Sequence, residues 1–188
     1  PLLTEFNTPF GVPPFHLIKY EHYMPAFEEA MKLQTKEVNG IISNKENTTF
    51  ENTIAAFDYS GEKLSTVSNI FYNIKSANTS DEMQEIAKEL VPILSAHQSS
   101  INLNPDLFER VKSVFEQRNE LDLTNEQLML LEKVYKKFVR SGAMLDKRSK
   151  TKMKEIDERL SMLSLQFGEN LLKETNNYNL IIENEADL

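Results

Sequence analysis

The sequence has 188 residues, of which 40% are hydrophobic and 27% charged, and this mixture indicates an ordered, helix-rich protein rather than a disordered one. A formal net charge of −8 argues against nucleic acid and a membrane surface as partners, because both bind clusters of Lys and Arg. The chain has no Cys, which excludes disulfides and thiolate metal sites and fits a reducing compartment.

The first 20 residues are predicted to form an extended arm. Pro9, Pro13 and Pro14 fix their own φ angles and keep the preceding residues out of the α region. The arm carries too many large apolar residues for a free tail, so we expect it to lie along a helical surface. It lacks the basic start and apolar core of a signal peptide, so we expect a cytoplasmic protein, or a periplasmic one if a signal peptide preceded Pro1.

Apolar residues at helical spacing then predict a series of helices over residues 21–177. The first of these helices begins near Pro25, since proline suits the first turn. Gly61 either divides the pattern of residues 48–78 into two helices or weakens one helix. Pro92 predicts a kink. Gly142 stands where a helix commonly ends.

Three further helices carry recognisable start signals. Residues 79–82 and 124–127 are predicted to be capping boxes, in which Thr79 and Thr124 each cap the backbone N–H three residues later. Asn104 precedes a proline and is expected to cap the next helix. These signals place the helix starts without any knowledge of the tertiary structure.

The strongest prediction is one long amphipathic helix over residues 146–176, about 40 Å in length at 1.5 Å per residue. Its apolar residues recur every three or four positions, at Met153, Ile156, Leu160, Leu163, Phe167 and Leu171. Such a stripe needs several partners. We expect the preceding helices and the N-terminal arm to cover it.

Residues 178–183 change pattern and are predicted to form one short strand, which would need a partner for its hydrogen bonds. The predicted fold is therefore all-α. It is a multihelical, antiparallel, bundle-like single domain over residues 1–188, with the arm at 1–20, helices at 21–177 and the terminal strand leading to a further domain.

No catalytic, cofactor-binding or metal-binding residue is predicted in this chain. His16, His22 and His97 show no His-Glu-x-x-His spacing, which would place two imidazoles on one helical face. We interpret His97 as a hydrogen-bonded helix residue and His22 as a surface residue near a helix start. Six carboxylates are interpreted as solvent-facing: Glu28, Glu29, Asp81, Glu82, Asp157 and Glu158.

A basic cluster around Gly142 breaks the acidic balance of the chain. Its members are Lys133, Lys136, Lys137, Arg140, Lys147, Arg148, Lys150, Lys152 and Lys154. The first four suit a helix C-terminus, where the macrodipole favours cations. The other five lie at the start of the long helix, where the helix macrodipole disfavours cations. We favour a solvated face for them, and binding of acidic groups is the alternative.

Five segments together resemble one family. They are TPFGVPPF at residues 8–15, YMPAFE at 23–28, TFENTI at 49–54, RSGA at 140–143 and FGEN at 167–170. In order and spacing they are similar to the N-terminal helical region of the thimet-oligopeptidase-like zinc metallopeptidases, particularly the bacterial peptidyl-dipeptidases and oligopeptidase A. The resemblance covers essentially the whole chain.

The resemblance implies a mostly helical, two-lobed parent enzyme with a deep channel and a zinc site at His-Glu-x-x-His, where the metal activates water. That motif lies beyond the matched region. The chain is therefore expected to be a non-catalytic channel-wall region, inactive alone and without zinc. Its expected partners are the catalytic domain of the same polypeptide and short peptides. The alternative is a free-standing helical module that binds a protein or peptide.

Overall fold

A computed structural model describes residues 1–181 and residue 184 of the chain, and its described part is helical without any strand. The helices are α1 (Tyr23–Ser43), α2 (Ala56–Tyr59), α3 (Glu62–Ala77), α4 (Asp81–Asn102), α5 (Pro105–Glu116), α6 (Asn125–Arg140) and α7 (Lys147–Asn177). A π-helical turn, Phe50–Ala55, precedes α2. The predicted all-α class is confirmed. None of the helices in the described part is long and apolar enough to cross a membrane.

Two hydrophobic cores hold these helices together. In the first core, the N-terminal half of α1 packs against α3 and the start of α4, where the rings of Phe27 and Phe71 meet edge to face at 5.7 Å. In the second core, the end of α1 and the end of α4 pack against the π-helical turn, α5 and α6, around Ile54, Leu107 and Phe138. Because α1 and α4 run through both cores, the two cores are mechanically linked.

The N-terminal arm is covered over only part of its length. Leu2 is buried in the first core, and Leu3, Phe6 and Ile18 pack against that core, as expected for an arm lying on helices. The middle of the arm departs from this expectation, because it forms single 3₁₀ turns at Pro9–Gly11 and Phe15–Leu17 rather than a continuous extended chain. Its apolar side chains there are exposed: Phe10, Val12, Phe15 and Leu17.

Most of the predicted helix starts are confirmed in atomic detail. The Asn104 side chain accepts the Leu107 N–H at 3.0 Å and caps α5. Thr124 and Gln127 cap α6 reciprocally, because each side chain accepts a hydrogen bond from the other's backbone N–H at 3.2 and 2.9 Å. Asp146 caps α7 by accepting the N–H of Ser149 at 3.0 Å. Each cap satisfies donors that the first turn leaves free.

Two glycines end or separate helices as the sequence predicts. Gly142, with φ of 90°, closes α6 in a Schellman motif: its N–H donates to the Val139 carbonyl and the Ala143 N–H to the Phe138 carbonyl, both at 3.0 Å. Gly61, with φ of 82°, separates α2 from α3, which selects the first of the two predicted alternatives. The left-handed backbone at both positions favours glycine.

Two local predictions require correction. The cap of α4 is Ser80 rather than Thr79: the Ser80 hydroxyl accepts the Met83 N–H at 3.2 Å, while the buried Thr79 hydroxyl has no hydrogen-bond partner. The predicted terminal strand is not found, since residues 178–181 form no regular structure, and residues 182 and 183 lie outside the described residues. Helix α4 continues through Pro92 over 22 residues, and the kink at Pro92 stays a prediction.

Replacing the two neighbouring hydroxyl residues tests which of them caps α4. We expect Ser80→Ala to lower the free energy of unfolding by about 1 kcal/mol, because it removes the N-cap acceptor. Thr79→Val removes a buried hydroxyl without a partner and keeps its shape, so it is expected to be neutral or stabilising. Urea unfolding followed by circular dichroism measures both. A larger loss in Thr79→Val would restore Thr79 as the cap.

A glycine-to-alanine pair tests the Schellman motif at the end of α6. Gly142→Ala is expected to cost about 1–2 kcal/mol, because alanine disfavours the left-handed backbone. Its Cβ would also lie 2.7 Å from Leu145 Cδ1. The control Gly40→Ala adds a Cβ in open space on α1 and is expected to stabilise by about 0.5–1 kcal/mol. Equal effects in thermal unfolding would contradict the assignment.

Candidate functional site

Helix α7 turns a polar side toward the domain and lies on α4. The Ser99 hydroxyl on α4 donates to the Asp157 carboxylate at 3.3 Å, and the Ser161 hydroxyl on α7 donates to Ser95 on α4 at 3.4 Å. Serines are small, so they let the two helix backbones approach closely. Hydrogen bonds between short side chains are therefore part of the contact between α4 and α7.

Longer side chains extend this polar contact toward both ends of α7. Lys150 donates to the backbone carbonyl of Leu103 at 3.3 Å near the start of the helix. Lys88 lies 3.9 Å from Glu169 near its other end. The one apolar anchor of α7 among the described core contacts is Leu165, which packs against the first core. No residue of α7 is buried.

This arrangement leaves an apolar stripe on the outside of α7, which we define as Ile156, Leu160, Leu163, Phe167 and Leu171. Phe167 exposes 70% of its surface and Leu160 exposes 59%. The expectation that the preceding helices and the arm cover the apolar residues of α7 is wrong for these five, whereas Met153, the sixth residue of the predicted stripe, is half-buried. The surface of α4 that receives α7 carries serines, so it pairs with the polar side of α7 and not with the apolar one.

A polar cleft of about 1030 Å³ opens between α1, α3, α4 and α7. In its wall the His97 Nε2 atom lies 2.7 Å from Gln34 Oε1, and the Gln34 amide donates to the Ser60 carbonyl at 3.4 Å. Gly61 permits this contact, since a Cβ at this position would collide with the Gln34 amide. Gln34 thereby joins α1, α4 and the turn before α3.

The groups in this cleft can bind water or a polar ligand by hydrogen bonds, but they lack the order of a catalytic triad. In a triad a histidine lies between a serine and a carboxylate. Here Ser99 bonds directly to Asp157, and His97 is paired with Gln34. Burial lowers the pKa of His97, which favours the neutral imidazole.

The other histidines and the carboxylates that the sequence analysis singled out do not come together in one place. His22 Nδ1 accepts the Lys19 N–H at 3.0 Å just before α1, which confirms its position at a helix start, and His16 is exposed in a turn. Among the carboxylates only Asp157 faces another helix; the exposed ones are Glu28, Glu29, Asp81, Glu82 and Glu158. Within the described residues, no group of three or more His, Asp or Glu residues could hold a metal ion.

The basic cluster is mainly a solvated surface. Lys137 lies 5.7 Å from the ring centre of Phe57, and Lys136 pairs with Glu132 at 3.0 Å. Lys150 donates to the Leu103 carbonyl just after α4. The others are exposed: Lys133, Arg140, Lys147, Arg148, Lys152 and Lys154.

Two of the segments that resemble the peptidase family have structural duties. In residues 49–54, Thr49 and Asn52 cap the π-helical turn reciprocally, and Phe50 and Ile54 enter the second core. Residues 140–143 contain Gly142 and form the Schellman motif. These segments fix the architecture of the domain, and none of them forms a reactive group.

Comparison with known proteins gives matches along the whole chain. It is 34% identical over 188 residues to dipeptidyl carboxypeptidase of Escherichia coli, covering all of this chain and 28% of that protein. The dipeptidyl carboxypeptidase of Salmonella typhimurium is 35% identical over 172 residues, 92% of this chain and 25% of its own. Oligopeptidase A of Salmonella typhimurium is 26% identical over 188 residues, all of this chain and 27% of its own. No family model matches the chain.

The fold and surface define an all-α domain with two linked cores, a polar cleft and one exposed apolar helix face. The matches are to the N-terminal quarter of these relatives, so the chain spans about a quarter of their length. Along its whole length the chain is homologous to the N-terminal quarter of dipeptidyl carboxypeptidases and oligopeptidases A, which are members of the thimet-oligopeptidase family.

The buried setting of His97 predicts a pH effect on stability. The ordinary pKa of 6.5 holds in the unfolded chain, and the pKa is lower in the folded one. As pH falls below 6.5, the unfolded chain therefore binds the proton more readily, and the free energy of unfolding decreases. Well above pH 6.5 the imidazole is neutral in both the folded and the unfolded chain, so His97 causes no further change in the free energy of unfolding.

Proton-detected titration of the His97 ring by NMR measures this shift directly. We expect its midpoint below 6.5 in the folded protein and near 6.5 in concentrated urea. The variant His97→Gln is expected to lose part of the acid-side decrease in stability. A folded midpoint above the midpoint in urea would show that the imidazole is stabilised as a cation and would contradict the effect.

Proposed function

We propose that this chain is the N-terminal, non-catalytic region of a zinc metallopeptidase that hydrolyses short peptides, and that it contributes to one wall of the substrate channel. The observation that carries the proposal is the 34% identity to dipeptidyl carboxypeptidase over all 188 residues, which account for 28% of that relative. The segments that resemble the family cap a turn, fill a core and end a helix, which is consistent with a structural and non-catalytic role for the chain.

In this proposal the zinc ion and the water that it activates belong to the rest of the polypeptide. Zinc sites in metallopeptidases use histidine and carboxylate ligands and keep one position open for water or substrate. The described residues here do not fit such a site, since His22 and His97 are engaged in separate hydrogen bonds far apart in the sequence. We therefore assign no step of peptide hydrolysis to this chain.

The relatives also favour one mode of cleavage. Identity to the two dipeptidyl carboxypeptidases is 34% and 35%, whereas identity to the three bacterial oligopeptidases A is 26% to 27%. The difference supports release of dipeptides from the C-terminus of the substrate over cleavage of internal bonds. A free C-terminal carboxylate would then be required for hydrolysis.

A second candidate is a free-standing helical module that binds a protein or peptide. The exposed apolar stripe of α7 favours a binding role of some kind, because soluble domains rarely leave such a face uncovered. The two candidate functions make different predictions about the length of the gene. The metallopeptidase requires a reading frame that continues past Leu188 and encodes His-Glu-x-x-His, whereas the module does not.

Expression of the full polypeptide tests the proposed function. We expect one zinc per chain by metal analysis, and hydrolysis of short peptides that stops when a chelator removes the metal. Mass spectrometry of the products should show C-terminal dipeptides, and amidation of the substrate C-terminus should abolish their release. The 188-residue chain alone should bind no stoichiometric zinc and cleave none of these peptides. Zinc-dependent hydrolysis by the 188-residue chain would overturn the proposal.

A further inference from the structure

We propose that the apolar stripe of α7 is the surface on which the remainder of the same polypeptide docks. The occupant is the part of the protein that follows residue 188, presenting an elongated apolar face. This inference rests on the proposed function, because it requires that the remainder exists. It goes further by assigning the contact surface within this chain.

The first argument is the size and order of the exposed surface. The stripe residues recur at steps of three and four from Ile156 to Leu171, so they form one line about 22 Å long on the helix. The five residues expose roughly 500 Å² in total, which is as much as the largest apolar patch of a typical monomer. A face of this length fits ridges-into-grooves packing against another helix.

The second argument is that the other side of α7 is already occupied. Ser161 and Asp157 are hydrogen-bonded to α4 on that side, and Glu169 lies near Lys88. A rotation that buried the stripe against α4 would break these contacts and place apolar side chains against serines. Leu160 also lines the cleft beside α4, but the other four stripe residues form a second face, and that face remains available while α7 stays bound to α4.

The third argument selects the rest of the polypeptide over a second copy of the chain. Exposed apolar residues do not stop with the helix, since Tyr178, Leu180 and Ile181 expose 73%, 72% and 79% of their surfaces. The apolar surface thus continues in the direction in which the homologous proteins continue. Those proteins are roughly three and a half times longer than the matched region, because the match covers 28% of the first relative.

Cysteine labelling in the full polypeptide tests this docking. The 188 residues contain no cysteine, so Leu163→Cys introduces a unique site within them. Gln166→Cys is the matched control, because Gln166 is exposed on the same helix but lies outside the stripe. We expect a small maleimide to react at least ten times more slowly at position 163 than at position 166. Peptide-resolved mass spectrometry reports both rates, and peptide hydrolysis is measured on the same samples.

The outcomes separate docking from the proposed function. Equal labelling of both positions in an enzyme that hydrolyses peptides would overturn the docking and leave the function intact. Slow labelling at position 163, which we call protection, in a protein without zinc-dependent hydrolysis would count against the proposed function alone. Protection that disappears when dilution produces monomers would assign the stripe to a second copy and overturn the inference. Protection that persists in the active monomer supports it.

Discussion

The contact between α4 and α7 determines which surface this domain presents. It includes hydrogen bonds between short polar side chains, with Ser99 bonded to Asp157 and Ser161 bonded to Ser95. A hydrogen bond of this kind contributes only about 0.5–1.5 kcal/mol net, because water offers competing partners in the unfolded chain. The contact thus sets the orientation of α7 more than it secures the helix. The apolar stripe, which could contribute more, faces outward.

The remainder of the domain has the opposite character, because its cohesion comes from apolar packing. Helices α1 and α4 each contribute to both cores, and the residues at the core centres, such as Phe27, Phe71 and Phe138, are fully buried. Interiors packed at this density respond as a unit to displacement. Helix α4 is thus held firmly from one side, and it offers α7 a fixed polar surface on the other.

Local chemistry explains which parts of this structure the sequence could predict. The caps at Asn104 and Thr124 and the helix end at Gly142 depend on groups within a few residues, so these features can be read directly from the sequence. At Ser80 two hydroxyl residues stand side by side, and the choice between them depends on the entry angle of the chain. A strand at residues 178–183 would depend on a pairing partner, which local sequence does not supply.

The packing between helices could not be predicted from the sequence in the same way. The periodicity of α7 correctly showed an apolar stripe, but a stripe identifies a face and not the element that covers it. Ser95 and Ser99 lie four residues apart on one face of α4, but this spacing does not identify the helix that packs against them. The pairing of His97 with Gln34 joins residues 63 positions apart, and it depends on the close approach that Gly61 permits. The polar cleft could not be predicted for the same reason.

The structure also explains why a resemblance could identify this chain in the absence of any catalytic motif. The segments around Thr49 and Gly142 are similar to those of the peptidase family, and here they cap a turn, fill a core and end a helix. Residues with such structural roles identify a fold and not a reaction, since one fold can host many chemistries. The assignment to the N-terminal region therefore rests on the whole chain. Within that assignment, the most informative residues are those that the fold does not use, because an exposed apolar side chain on a rigid helix has no stabilising role until something covers it.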